Sequence, residues 1–167
     1  MAVTTSQAGP ALDALVTLLT SALTTTVVVD GPPMKNDGET NIAQRRLFVG
    51  ADTADPSDEA VAVEFDQSFR SDGARNRDED FTVWCVAEGW SGETVMQTAR
   101  NNAKTVLSGV ESALRATQAA PAAPALGLSG VMYSELVSGT WTQAQTDRGA
   151  YCRIRFGVRV RAFLNQT

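Results

Sequence analysis

The chain has 167 residues, 43% of them hydrophobic, with 14 basic and 19 acidic side chains for a net charge of −5, and it contains no histidine. Size and composition fit one soluble globular domain with a single core. The missing histidine removes the commonest general base, the commonest metal ligand and the usual partner of a nucleophilic serine or cysteine.

No apolar run approaches the roughly 20 residues that span a bilayer. The first ten residues have no basic cluster ahead of an apolar stretch, so they do not read as a signal peptide. The expectation is a protein made in the cytoplasm with no membrane partner. Cys85 and Cys152 fall on strand faces that read as buried, where cysteine serves as a small hydrophobe, and two cysteines make no disulfide framework.

In chain order, Pro10 suits a first helical turn, and Leu12, Leu15, Val16, Leu19 and Leu23 keep helical spacing over 11–23. The β-branched run Thr24 to Val29 reads as a first strand, stopped by Asp30-Gly31-Pro32-Pro33. Residues 34–46 read as a loop, Arg45 to Gly50 as a second strand, and 51–59 as an acidic loop. Residues 60–70 alternate, with Val61, Val63, Phe65 and Phe69 inward and Glu64 and Asp66 outward. Residues 81–87 return as the partner strand, which makes 72–80 the charged tip of a long hairpin.

Ser91 reads as a helix N-cap with Glu93 in the first turn. Val95, Met96, Ala99, Ala103, Val106, Leu107, Val110, Ala113 and Leu114 then mark one face of a long helix. Residues 118–127 read as an Ala/Pro spacer inside one domain spanning 1–167. Residues 131–137 and 140–144 read as a hairpin about Ser138-Gly139, and Asp147-Arg148-Gly149 as the next turn. The fold class expected is α+β: a mostly antiparallel sheet packed against one long helix, with an additional N-terminal helix.

The last strand carries the plainest pattern. From Tyr151 to Phe163 an extended chain puts Cys152, Ile154, Phe156, Val158, Val160 and Ala162 on one face. Arg153, Arg155, Arg159 and Arg161 fall on the other. Neighbouring arginines about 7 Å apart repel by only about 0.6 kcal/mol in water, so the stripe is tolerable exposed and unfavourable buried without partners. Three kinds of partner fit: acidic side chains of an adjoining strand such as Glu64 and Asp66, an acidic surface of another copy, or phosphates of passing nucleic acid. Charge is also uneven along the chain, −8 over residues 1–119 and +3 over 120–167, which suits docking between copies.

Phosphate-loop, dinucleotide, nucleophile-elbow and C-x-x-C motifs are absent. Asp78-Glu79-Asp80 sits beside Arg75 and Arg77 and reads as a solvated charge run rather than a magnesium site. Neither catalysis nor a cofactor is expected.

The order of elements resembles the tail terminator proteins of long-tailed bacteriophages, the lambda-type terminator among them. The resemblance rests on the strand ending Val27-Val28-Val29-Asp30-Gly31-Pro32, the hairpin 60–88 with Glu79 to Val86, the Ser91-Gly92-Glu93 helix start, and Cys152 to Val160. It implies a virion protein that forms a ring, typically a hexamer, on the end of the tail tube. Such a ring stops tube growth and joins the tail to a head–tail connector or stopper protein, with DNA passing through its hole. Arg153, Arg155, Arg159 and Arg161 would then face a neighbouring subunit or the lumen. Arg75, Arg77, Asp78, Glu79 and Asp80 would contact adjacent rings, and Glu64 and Asp66 would pair with arginines within the sheet or between subunits. Other neck proteins, a small α+β ligand-binding domain or enzyme, and a nucleic-acid module are the alternatives. An acidic chain with two lysines, Lys35 and Lys104, weighs against the last.

Overall fold

The computed structural model describes residues 5–33, 44–55, 59–69, 76–118 and 125–164. Among the described residues the fold is mixed α+β, with six strands and two helices. In chain order these are α1 (Ala8–Ala22), β1 (Val27–Asp30), β2 (Arg45–Val49), β3 (Val63–Phe69), β4 (Arg77–Ser91), α2 (Met96–Thr117), a 3-10 turn (Ala125–Gly127), β5 (Val131–Thr146) and β6 (Gly149–Leu164).

The sheet is built around β4. Strand β6 pairs with it antiparallel along its whole length, from Arg77 opposite Leu164 to Ser91 opposite Ala150. On the other edge, β3 covers Arg77 to Val83 and β2 covers Cys85 to Gly89, end to end along one strand. Strand β1 lies outside β2 in the sheet's parallel pair, and β5 lies outside β6.

Alternation decides which side is buried. Phe81, Val83, Cys85 and Ala87 of β4, with Ile154, Phe156, Val158 and Val160 of β6, face the helices and are at most 2% exposed. Helix α2 seals them with Ala99, Ala103, Val106, Val110 and Leu114. Helix α1 adds Leu15 and Leu19 to the same layer, so the sheet is covered by two helices rather than by the long one alone. The closest approach is at Gly89, where a β-carbon would lie 2.3 Å from the Ala103 nitrogen and the Ala99 oxygen, so no side chain fits.

Several expectations change here. Strand β4 starts at Arg77, not near Phe81, so Arg77, Asp78, Glu79 and Asp80 are strand residues rather than a loop tip. Asp78 and Asp80 meet arginines of β6, and Arg77 and Glu79 are hydrogen-bonded by neutral groups, which removes the reason to expect a turn. Strand β3 is an edge strand whose Phe65 and Phe69 are exposed: among the described residues α1 reaches that end of the sheet only with its start, at Glu79, and does not cover them. Ser91 is the last residue of β4, and α2 starts at Met96 after Val95 without a side-chain cap. Glu93 lies ahead of that helix, and its carbonyl accepts from the Ala150 nitrogen at 3.0 Å.

Strand β5 runs unbroken through the expected hairpin. Ser138 is absorbed as a bulge between Val137 and Gly139, with φ of 25°. Ala125 and Leu126, at the end of the expected spacer, are buried in the core. Most of that spacer, 119–124, lies outside the described residues, as do most of the 34–46 loop, Arg70 to Ala74 and Arg75.

Candidate functional site

Both helices lie on one side; among the described residues the other, more open face is covered where the loop after β2 packs Ala51 and Ala54 on Phe48 and Val86, and the arginine stripe of β6 lies on that face. Register then fixes its neighbours. Glu88 stands directly opposite Arg153 and Asp80 opposite Arg161, with the side chains of each pair on the same face. The Arg153 Nε donates to Glu88 Oε1 at 2.7 Å, and Arg46 of β2 approaches Glu88 Oε2 at 3.2 Å from the other side. Glu88 is 2% exposed, and these two cations compensate its burial.

Further along the stripe, Arg155 meets Asp52 at 3.3 Å, Arg159 meets Asp80 at 3.2 Å, and Arg161 meets Asp78 at 3.5 Å. Hydrogen bonding to Tyr133, then the charge of Asp80, raises the Arg161 pKa further above its ordinary value. The Arg155 guanidinium also lies 4.3 Å over the Trp84 ring. Trp84 in turn occupies space that Gly157 leaves empty: a β-carbon there would lie 2.6 Å from Thr82 Cγ2 and 3.5 Å from the indole.

The stripe is thus paired within the chain, but with carboxylates of β4 and the loop after β2. Glu64 and Asp66 are exposed on the same open face, on β3, and among the described residues neither forms an ion pair with the stripe. β4 lies between β3 and β6, which separates them. Arg77 and Glu79 point to the helical side instead. Arg77 Nη1 donates to Gln67 Oε1 at 3.1 Å, and its guanidinium lies 5.4 Å from the Phe69 ring centroid. Glu79 is fully buried and accepts the Gln7 amide at 2.7 Å, with Ser6 and Gln67 on its other oxygen, so it holds the start of α1.

The residues that sequence reading missed are Asp52, Glu88, Asn102 and the capping role of Glu79. Asn102 donates to the Trp90 carbonyl at 2.8 Å and accepts from Arg45 Nε at 3.1 Å, tying α2 to β2 and β4. A carboxylate at position 88 in a strand otherwise rich in apolar residues was the available signal for a buried pair.

Burial pushes the Cys85 thiol up to about 12 and raises Cys152 as well, so neither is a ready nucleophile. Among the described residues no three His, Cys, Asp or Glu side chains are placed to hold a metal ion. The grooves are shallow and open. One, of about 230 Å³, lies between the loop after β2 and the strands β5 and β6, lined by Asp52, Val86, Thr140, Thr142, Arg153 and Arg155 among others.

Large apolar side chains stand exposed at both edges of the sheet: Phe65 (64%) and Phe69 (66%) on β3, Met132 (47%) and Trp141 (46%) on β5. No family model matches the chain, and no curated protein matches it.

Proposed function

We propose that this chain is a structural protein that associates with its own copies into a closed ring. By its resemblance to tail terminators, that ring is a hexamer of the phage virion. It caps the tail tube, ends tube growth and presents a face to a head–tail connector protein. Function on this reading is geometry and adhesion, with no turnover and no cofactor.

The observation that carries self-association is the pair of exposed apolar edges. Phe65 and Phe69 on β3 and Trp141 and Met132 on β5 lie at opposite edges of one sheet, so within a chain neither set covers the other. Contact between copies covers both. The two sets differ, so the contact is heterologous, and repetition of it closes as a ring or runs on as a filament. Full burial of the two phenylalanines alone would contribute about 3–6 kcal/mol before the costs of association. The paired stripe also favours a structural role, because its arginines already have carboxylate partners.

Native mass spectrometry and light scattering test the first part. The expected result is one closed oligomer, dissociated to folded monomer by Phe65→Ser with Phe69→Ser. Growing tail tubes in the presence of the protein tests the second, with capped tubes of limited length expected in electron micrographs. A monomer at every concentration that also ignores tube ends would overturn the reading.

A further inference from the structure

The cations that this chain leaves unmatched lie on α2 and not on the stripe. Arg100 and Lys104 are exposed and one helical turn apart, so their β-carbons are about 6 Å from each other on one face. Arg100 Nη1 donates to Gln143 Oε1 at 3.3 Å, a neutral partner, and among the described residues neither cation pairs with a carboxylate. The first acidic residue of α2 is Glu111, and it is taken by Arg115.

Strand β5 runs beside these two cations. Arg100 touches Gln143 near the start of α2, and Gln118 donates to the Ser134 carbonyl at 2.7 Å past its end. From 100 to 118 the chain rises about 27 Å as helix, and from 143 back to 134 it covers about 30 Å as strand. Helix and strand therefore lie side by side in opposite directions. Trp141, about 7 Å along β5 from Gln143, then stands level with Lys104. It is on the helical side, opposite the buried Ile154, and 46% exposed. The seam between β5 and α2 thus presents an indole on one flank and two cations on the other.

The complement is on β3. Glu64 and Asp66 are exposed, form one row about 7 Å apart, and have no ion pair among the described residues. Phe65 and Phe69 form the other row. An edge strand set edge-on into a seam turns one row to each flank, so carboxylates 7 Å apart meet cations 6 Å apart while the phenyl groups meet the indole. Arg100, Lys104 and Trp141 are exposed, so no strand stands between the rows and their receivers. Within one chain β4 and β6 keep β3 from this seam.

We infer that β3 of one copy lies in the seam between α2 and β5 of the next, with Glu64 and Asp66 paired to Arg100 and Lys104 and the phenyl groups against Trp141. This rests on the self-association proposed above and names the surface that receives β3.

Charge exchange on the full chain tests it. Arg100→Glu with Lys104→Glu makes both surfaces negative, and Glu64→Lys with Asp66→Lys makes both positive. Each variant alone, folded by circular dichroism, is expected to associate about tenfold or more weakly than wild type. Mixed one to one, the two variants have opposite charges at every unlike contact, and assembly is expected to return with the two alternating in native mass spectra. Lys104→Glu alone, which leaves the Arg100–Gln143 contact in place, repeats the negative arm should the double variant unfold. If wild type assembles and the variants do so equally well, or if the mixture fails to recover, the seam is not the contact and ring formation stands. A wild-type monomer overturns both.

Discussion

Cys85 is a thiol placed where its ionised form is unfavourable, and that has a measurable consequence. Its ordinary value is 9.0, and burial raises it to about 12 in the folded chain. Below pH 9 the folded and unfolded states both keep the proton, so the thiol does not oppose folding. Between pH 9 and 12 only the unfolded state releases it, and stability falls as pH rises, by about 1.4 kcal/mol per pH unit from this group. Urea unfolding at pH 8 and pH 10.5 is expected to show wild type losing about 2 kcal/mol more than Cys85→Ala over that step. Equal losses in the two proteins would mean that the thiol titrates normally. At this scale the sequence was informative about direction and silent about partners. Strict alternation from Cys152 to Ala162 marked every buried residue of that face and every arginine opposite them. It did not mark Glu88 or Asp52 as the counter-ions, because a carboxylate 65 or 103 positions away is brought in by cross-strand register and loop path, which no local pattern encodes.

Helix α2 shows what periodicity does and does not rank. Leu107 and Leu114 look equivalent in the sequence, yet Leu114 is 2% exposed inside the core while Leu107 packs only at its margin. Leu114→Ala should therefore cost about 3 kcal/mol and Leu107→Ala about 1, measured by denaturant unfolding. Similar losses at both would mean that the helix is rotated toward Leu107. The boundaries of elements were harder to read than their faces. Ser91-Gly92-Glu93 has the composition of a helix start, but the ladder with β6 claims Ser91 first and the helix waits until Met96. Ser138-Gly139 has the composition of a turn, but the long β6 template keeps β5 extended and turns the surplus residue into a bulge. Arg77 to Asp80 has the composition of a solvated loop, but Asp78 and Asp80 find arginines of β6 and Glu79 caps α1. In all three cases long-range pairing overrode a local signal.

For the molecule as a whole, the question raised by the arginines is whether the open face attracts or repels a polyanion. Nucleic-acid affinity of the non-specific kind comes from cations that release the counterions condensed on phosphates, and it requires cations that are not already neutralised. Here Arg153, Arg155, Arg159 and Arg161 each lie within 3.5 Å of a carboxylate. Glu64, Asp66 and Glu135 share the face, and the chain carries a net charge of −5. A phosphate approaching the stripe must displace an existing partner and meet the surrounding negative field. Duplex DNA is therefore expected to show no mobility shift with about 10 µM protein in about 150 mM salt. Replacing Asp78 and Asp80 together by Asn frees Arg159 and Arg161 and should produce weak, salt-sensitive binding. A shift with wild type that weakens steeply between about 50 and 200 mM salt would place phosphates among the stripe's partners after all.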